Sequence, residues 1–251
     1  MNEALLRVEG LRKFFGEFCA IDRIDLNIKP KIITSVIGPN GAGKTTLINL
    51  VTGYLRPDGG KVFFKGDDIT RLAVHKMLRK KISRSFQIMN IFPRLSVFQN
   101  VELAILPVFG KSLKWFSGSD DHSDVNNEVN RILETVDLLD KKDSLAGQLS
   151  HGDQRLLELG IAIAPRPELC FLDEPSSGMG RSEGHRVTEL VRRLAAEGKT
   201  TFVIIEHDMD IVFSLSDWIV VMNRGQILTE GEPGQIRGNK EVQEIYLGEE
   251  V

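Results

Sequence analysis

The sequence Val36-Ile37-Gly38-Pro39-Asn40-Gly41-Ala42-Gly43-Lys44-Thr45-Thr46 decides the fold, because a β-branched apolar run breaks into glycines and then into helix-forming residues. The glycines allow tight turns that aim backbone N–H groups at phosphate oxygens. Residues 32–37 are predicted to form a buried strand. Residues 44–51, followed by Gly53, are predicted to form the helix whose positive end receives the anion. The stretch therefore predicts a phosphate-binding loop.

Individual positions of this loop have distinct predicted roles. Lys44 is expected to reach the β- and γ-phosphates of a nucleotide, and the Thr45 hydroxyl is expected to bind Mg²⁺. The nucleotide-binding positions of the loop are Gly38, Asn40, Gly41, Ala42, Gly43, Lys44, Thr45 and Thr46. A glycine turn without a ligand would explain the glycines but not the adjacent lysine and threonine. A nucleotide site is therefore the favoured interpretation.

The composition indicates a globular chain. Of its 251 residues 41% are hydrophobic, and the formal net charge is −3. Because this charge lacks the basic excess of a nucleic-acid coat protein, nucleic acid is not expected as a partner. No apolar run approaches the roughly 18 residues that span a bilayer, and no export signal opens the chain. Cys19 and Cys170 are expected to be free thiols in a reducing cytosol, and any membrane role is expected to require a partner protein.

The order of the segments predicts an α/β fold with a mostly parallel sheet. Short strands with turns between them, at residues 5–11, 19–28 and 62–64, are predicted to form an antiparallel layer. Later strands, predicted at residues 169–172, 202–205 and 219–222, are separated by helical patterns. Strands separated by helices indicate a parallel sheet, whose ligands bind at the carboxyl ends of the strands.

The middle of the chain is predicted to be helical. Between residues 72 and 164 the apolar residues recur mostly at helical spacing, and Ser96 is the predicted N-cap of a helix over 97–106. A second helical stripe consists of Val125, Val129, Ile132, Leu133 and Val136. Residues 107–124 have no clear period and are interpreted as a surface insertion. The predicted division within a single domain is a core of residues 1–71 and 165–251 and a helical subdomain of residues 72–164.

Two carboxylates end a predicted strand at Asp173-Glu174. In a parallel sheet, this strand end and the phosphate loop lie at the same edge. Asp173 is placed to hold Mg²⁺, usually through water, and Glu174 to orient or deprotonate an attacking water. An ordinary turn is the alternative, and the presence of the phosphate loop favours the functional interpretation.

A second anion site is predicted where a helix begins after Ser150. The Ser150 hydroxyl and the Gly152 N–H, at the N-terminus of this helix, could hold a γ-phosphate. The structural alternative is a well-capped helix without a ligand, with Ser150 as the cap and Asp153 in the first turn. The sequence alone leaves both readings open.

These motifs, in this order, resemble the ATP-binding subunits of ABC transporters over essentially the whole chain. The resemblance implies a P-loop NTPase core, with ATP and Mg²⁺ as cofactors. The further matching motifs are the Q-loop residue Gln87, the signature Leu149-Ser150-His151-Gly152-Asp153, the D-loop Ser177-Gly178-Met179-Gly180 and the switch histidine His207. Phe15 matches the aromatic residue that stacks on adenine, with Phe14 as the alternative.

The resemblance also implies roles for these residues. The catalytic set is Lys44, Gln87, Glu174 and His207, and the metal-binding set is Thr45, Gln87 and Asp173. Gln87 is expected to couple the γ-phosphate and Mg²⁺ to a membrane partner. The family pattern is not followed at three positions: His151 replaces the usual glycine, Asp153 the usual glutamine, and Gly180 a frequent aspartate. The last puts the cross-interface contact of the D-loop in doubt, and a carboxylate at position 153 repels a triphosphate unless it caps its own helix.

The assembly follows from the same resemblance. Each signature completes the site of the opposite subunit, so a second ABC ATPase, identical or different, is expected, together with separate transmembrane permease subunits and, indirectly, a solute-binding protein. The chain is then expected on the cytoplasmic face of the cell membrane. Softer features are most like importers of branched-chain amino acids: residues 15–18, Gly178-Met179, the 107–124 insertion and the tail 242–249. The alternatives are urea or amide importers, a lipopolysaccharide-export ATPase, a soluble ABC ATPase outside transport, and a regulatory module without turnover.

Overall fold

The computed structural model of the chain describes residues 4–85, 91–106 and 123–247. The strands in these ranges are β1 (Leu6–Phe15), β2 (Phe18–Ile28), β3 (Ile33–Ile37), β4 (Gly59–Phe64), β5 (Asp67–Asp68), β6 (Ile82–Arg84), β7 (Leu169–Asp173), β8 (Thr201–Ile205), β9 (Trp218–Asn223) and β10 (Gln226–Gly231). The α-helices are α1 (Lys44–Val51), α2 (Val74–Met77), α3 (Val97–Ile105), α4 (Ser123–Thr135), α5 (His151–Ile163), α6 (Arg181–Ala196), α7 (Met209–Leu215), α8 (Pro233–Arg237) and α9 (Lys240–Leu247).

The larger sheet positions the candidate site. Its strand order is β10-β9-β3-β8-β7-β6, and its neighbouring pairs are parallel except β9 with β10. Strands β3, β7 and β8 are buried along their full length, as expected for apolar strands covered on both faces. Their carboxyl ends meet at one edge. The phosphate loop, Glu174 and His207 follow these strand ends, so the topology brings all three to the same edge.

The smaller sheet confirms the predicted antiparallel layer. Its strand order is β2-β1-β4-β5, and every pair is antiparallel. Helix α1 joins the two sheets, because Leu47, Ile48 and Val51 belong to one buried apolar cluster with residues of both. The phosphate-loop helix is therefore fixed by the core on more than one side.

Helices α3, α4, α5 and α6 contribute to a second buried apolar cluster. The predicted stripe on α4 is confirmed, because Val125, Val129, Ile132, Leu133 and Val136 are all buried. The predicted N-cap is also confirmed. The Ser96 hydroxyl accepts a hydrogen bond from the Gln99 N–H, and the Gln99 side chain accepts one from the Ser96 N–H. This reciprocal arrangement satisfies two backbone donors at the start of α3.

The structure departs from the predicted elements at three places. Strand β6 pairs in parallel with β7, although it lies inside the stretch 72–164 that was predicted to be helical. Strand β10 extends the sheet beyond the last predicted strand. Helix α4 begins at Ser123, whereas the insertion was predicted to run to residue 124, and residues 107–122 lie outside the described ranges. A three-residue strand such as β6 is too short to show a period of two. The division into core and helical subdomain stays a prediction.

Two expectations concern the chain as a whole. Within the described residues, no helix combines the length and the apolar composition that crossing a bilayer requires. Cys19 and Cys170 are both free, as predicted.

Candidate active site

The loop between β3 and α1 has the backbone that its glycines predict. Gly38, Gly41 and Gly43 have φ angles of 148°, 78° and 101°, which residues with a Cβ rarely adopt. A Cβ on Gly38 would also lie 2.1 Å from the carbonyl oxygen of Met222. Position 38 therefore requires glycine for its backbone angle and for the close approach of β9.

The Lys44 ammonium group is hydrogen-bonded to the backbone of the phosphate loop. The Lys44 side chain is buried, and its ammonium group donates hydrogen bonds to the carbonyl oxygens of Gly38, at 2.6 Å, and Pro39, at 3.0 Å. Thr45 is exposed and Thr46 is half-buried at the start of α1. The loop thus presents a positive charge, the amino end of a helix and two hydroxyls on the same side, which suits a phosphate group.

A glutamate and a histidine face each other across the ends of β7 and β8. Glu174 Oε1 lies 3.0 Å from His207 Nε2, at hydrogen-bond distance. Glu174 has a left-handed backbone, with φ of 49°, and its N–H donates to the carbonyl oxygen of Ile205. A non-glycine residue in this conformation is uncommon and is often found where a side chain must be presented at a site.

Asp173, the last residue of β7, is a buried carboxylate with a buried cation beside it. Arg84 Nη2 donates to Asp173 Oδ2 at 2.9 Å, and the two side chains are 7% and 1% exposed. Arg84 Nη1 also donates to Asn49 Oδ1 at 2.5 Å. One oxygen of the predicted metal-binding carboxylate, Asp173 Oδ1, is therefore buried without a hydrogen-bond partner among the described residues.

Two aromatic rings stand at the tip of the β1–β2 hairpin. Phe15 and Phe18 are opposite each other in the strand register, and both are exposed. Phe18 was missed from the sequence. The turn Gly16-Glu17 between the two rings was the available signal, because a two-residue hairpin turn makes its flanking residues direct partners.

A cavity of about 340 Å³ collects most of these residues. Its lining consists of Phe15, Phe18, Ala20, Asn40, Gly41, Ala42, Gly43, Lys44, Thr45, Thr46, Glu174 and His207. Phe14 is not in this lining. One cavity is thus lined by aromatic rings, by the phosphate loop, and by a carboxylate paired with an imidazole, the kinds of group that bind the base and the phosphates of a nucleotide.

Known proteins identify the family. A family model described as ABC transporter matches residues 21–177. The chain belongs to the ABC transporter family. It is an ABC ATPase, as its relatives and the structures of ATP-binding cassettes also indicate.

Relatives of this ABC protein match it along its full length. The high-affinity branched-chain amino acid transport ATP-binding protein LivG of Escherichia coli K12 is 36% identical over 254 residues, 99% of this chain and 100% of the relative. BraF of Pseudomonas aeruginosa, which has the same description, is 35% identical over 263 residues, with 99% and 100% coverage. The ADP conformation of an ATP-binding cassette of an ABC transporter has a TM-score of 0.85 and 35% identity, covering 98% of this chain and 99% of that one.

The signature helix of this ABC protein lies apart from the cavity. Helix α5 begins after Ser150, whose hydroxyl accepts a hydrogen bond from the Asp153 N–H at 3.2 Å. Neither Ser150 nor Gly152 lines the cavity within the described residues. The structure therefore brings together Phe15, Glu174, His207 and the predicted phosphate-loop residues other than Gly38. It does not bring Asp173 or the two predicted residues of the signature into the same lining.

The aspartate in the signature is neutralised by two cations. Asp153 is buried, and its carboxylate accepts from Lys141 Nζ at 2.6 Å and from Arg186 Nη1 at 3.3 Å. Burial by itself raises the pKa of Asp153, but the hydrogen bonds from the Lys141 and Ser150 side chains, together with the charges of Lys141 and Arg186, outweigh it and lower the pKa below its usual value. Two cations and the N-cap serine of its own helix thus stabilise the Asp153 carboxylate.

The other motifs of the resemblance have different outcomes. Gln87 lies outside the described residues, three positions after Arg84 at the end of β6. Gly178 of the D-loop has a left-handed φ of 75°, and the His151 ring lies against it, 3.5 Å from where a Cβ would be. Gly180 precedes α6 and provides no side-chain cap. The histidine at position 151 therefore contacts the D-loop of its own chain.

Proposed function

We propose that the chain hydrolyses ATP to drive import of branched-chain or related hydrophobic amino acids through separate permease subunits. The observation that carries the proposal is the single cavity that joins the phosphate loop to Glu174 and His207. The descriptions of LivG and BraF support the solute class. As part of such a transporter, the chain lies on the cytoplasmic face of the membrane and meets a solute-binding protein only indirectly.

The nucleotide is held at three places in this proposal. The Phe15 and Phe18 rings contact the adenine, because exposed aromatic faces at the hairpin tip stack on a base. The loop N–H groups and Lys44 bind the phosphates. Mg²⁺ prefers oxygen donors. Thr45, which has a hydroxyl, lines the cavity, and Asp173 has a buried oxygen without a partner among the described residues. When bound, Mg²⁺ supplies positive charge against the phosphate oxygens.

Hydrolysis then needs a positioned water. Glu174 orients the water and accepts its proton as the water oxygen bonds to the γ-phosphorus and the bond to ADP breaks. His207 and Lys44 meet the negative charge that develops on the transferred phosphoryl group. The 3.0 Å contact between Glu174 and His207 keeps these two side chains together in the lining of the cavity.

A second ATPase subunit completes the site. The N-terminus of α5 is a suitable anion site, yet within the described residues it does not line the cavity of its own chain. Two chains arranged head to tail place Ser150 and Gly152 of one copy against the nucleotide of the other. The second subunit is an identical chain or a related ATPase.

Coupling to the permease passes through the region around Arg84. An apolar groove of about 320 Å³ lies beside β6, and its lining includes Tyr54, Met77, Arg84 and Leu103. A permease segment in this groove would lie next to the strand that leads into Gln87. Gln87 then links the γ-phosphate and Mg²⁺ to the position of the permease.

Two substitutions test the hydrolytic site in the chain purified with its permease. Glu174→Gln is expected to trap ATP-bound dimers and abolish turnover, and unchanged ATPase activity would remove Glu174 from the reaction. Lys44→Ala is expected to lose nucleotide affinity, and normal ATP binding would contradict the assignment of the loop. Matched controls are Glu189→Gln and Lys199→Ala, which alter exposed ion pairs and should leave both properties unchanged.

The solute class needs a separate measurement. The complex is reconstituted with its solute-binding protein in vesicles, and ATP hydrolysis is measured with leucine, isoleucine, valine, urea, a short-chain amide or lipopolysaccharide. Stimulation by the branched-chain amino acids is the expected result. Stimulation by urea, the amide or lipopolysaccharide alone would assign the chain to another ABC system.

A further inference from the structure

Glu206 is a buried carboxylate at the end of β8, directly before His207. It is 3% exposed, and within the described ranges no lysine, arginine or histidine forms an ion pair with it. A carboxylate removed from water is unfavourable unless it accepts hydrogen bonds. Its partners therefore indicate why the chain has a glutamate at this position.

The partners of Glu206 come from both loops of the candidate site. Glu206 Oε1 accepts hydrogen bonds from the Ser176 N–H, at 3.0 Å, and from the Ser176 hydroxyl. Glu206 Oε2 accepts from the His207 N–H at 3.1 Å. Ser176 is two residues after Glu174 in the segment that leads into the D-loop. One carboxylate thus joins the backbone that carries Glu174 to the backbone that carries His207.

The backbone at Glu174 needs such a restraint. Its left-handed φ of 49° is disfavoured for a residue with a Cβ, and it persists only where neighbouring groups hold it. The Glu174 N–H is fixed by the carbonyl oxygen of Ile205. Ser176 and Glu206 fix the same segment on its other side, because the N–H and the hydroxyl of Ser176 both donate to one Glu206 oxygen.

We propose that Glu206 is a positioning residue for hydrolysis: through Ser176 and the His207 backbone it sets the placement of the Glu174 and His207 side chains. The proposal rests on the hydrolytic function proposed above. Glu206 does not line the nucleotide cavity, so it acts through the two residues that do. A displacement of about 1 Å in a reacting group reduces turnover by up to about 100-fold, whereas the phosphate loop and the aromatic rings do not depend on this carboxylate.

The test separates turnover from nucleotide binding in the permease complex. Glu206→Gln keeps the size of the side chain but replaces one acceptor oxygen with an amide donor that faces an N–H group. We expect kcat to fall at least 10-fold, while the Kd of a fluorescent ADP analogue stays within about twofold. The matched control is Glu128→Gln, a buried carboxylate on α4, which should lower thermal stability without changing kcat.

A double-mutant cycle tests whether Glu206 acts on turnover through Ser176. Ser176→Ala removes the hydroxyl that donates to Glu206, and Ser176→Thr retains a hydroxyl. We expect a lower kcat in Ser176→Ala, recovery in Ser176→Thr, and no further loss when Ser176→Ala is combined with Glu206→Gln. If Glu206→Gln does not fold, the two Ser176 variants carry the test by themselves. Effects that simply multiply in the double variant would mean that the two residues act separately, and the proposal would be wrong.

Two further outcomes would contradict the positioning role of Glu206. Wild-type kcat in Glu206→Gln, or in Ser176→Ala when only that variant folds, overturns the positioning role. Equal losses in kcat and in ADP affinity would assign Glu206 to general stability. These failures differ from a failure of the proposed function, in which Glu174→Gln itself retains turnover.

Discussion

Replacing Arg84 with methionine measures what the cation does for the Asp173 carboxylate. Arg84 and Asp173 are 7% and 1% exposed and 2.9 Å apart. Removing one partner of a buried ion pair costs about 3–5 kcal/mol, because it leaves the other charge uncompensated. We therefore expect Arg84→Met to lower the free energy of unfolding by about that amount when nucleotide and metal are absent.

Magnesium should restore part of this loss if Asp173 is a metal-binding residue. In the wild-type chain, the positive charge of Arg84 opposes that of Mg²⁺ beside the same carboxylate. Without Arg84, apparent Mg²⁺ affinity should rise about 10-fold, which adds about 1.4 kcal/mol to the stabilisation that saturating Mg²⁺ and ADP provide. The assay is denaturant unfolding of the wild-type chain and of Arg84→Met in the presence of ADP. The free energy of unfolding in Mg²⁺ is compared with that in EDTA for each of them.

A control variant separates the effect on Mg²⁺ binding from the loss of stability that follows when any buried carboxylate loses its cation. Arg131 donates to the buried Glu128 carboxylate on α4, away from the nucleotide cavity, and their side chains are 54% and 9% exposed. Arg131→Met should therefore lower stability but show the same stabilisation by Mg²⁺ as the wild-type chain. An Mg²⁺ increment in Arg84→Met that equals or falls below the wild-type increment would refute the reasoning.

Two further predictions concern groups away from the nucleotide. Hydrogen bonds from Arg131 lower the pKa of Glu128 from 4.5 to about 2 despite its burial. The ionised Glu128 therefore stabilises the folded chain fully above pH 4.5, and this contribution to the free energy of unfolding is lost as the pH falls towards 2. Unfolding midpoints at pH 7, 4 and 3 should therefore fall less in Glu128→Gln, and equal acid sensitivity in both chains would contradict this. Burial raises the pKa of Cys170 to about 12, so iodoacetamide at pH 8 should modify Cys19 in the native chain and Cys170 only after unfolding. Mass spectrometry of the peptides that contain Cys19 and Cys170 measures the modification. Rapid labelling of Cys170 in the native chain would contradict the prediction.

The sequence predicted the elements whose pattern is local. The phosphate loop has its glycines at fixed positions between a buried strand and a helix, and the backbone angles at Gly38, Gly41 and Gly43 follow from that arrangement. The stripe of α4 was predictable because its apolar residues recur at the helical period. Ser96 was predictable because capping depends on neighbours three residues away.

The contacts that no local pattern could predict join distant segments. Arg84 and Asp173 are 89 residues apart, and β6 is too short to reveal a strand. The cations that neutralise Asp153 come from Lys141, before α5, and from Arg186, on α6. Such pairs form only after the helices and the sheet have packed, so the sequence shows the charges but not their partners.

Three carboxylates at the sheet edge differ in their hydrogen-bond partners and in their access to the cavity. Asp173 is bound to a guanidinium, which keeps its protons in proteins, and Glu206 accepts from backbone and hydroxyl donors that do not ionise near neutral pH. Glu174 is paired with the imidazole of His207, whose ring nitrogens donate or accept according to the tautomer. Glu174 also lines the nucleotide cavity, whereas the other two do not. Its place in the lining fits the base role proposed for Glu174, whereas the hydrogen-bond partners of Asp173 and Glu206 hold those two carboxylates in fixed positions beside the cavity.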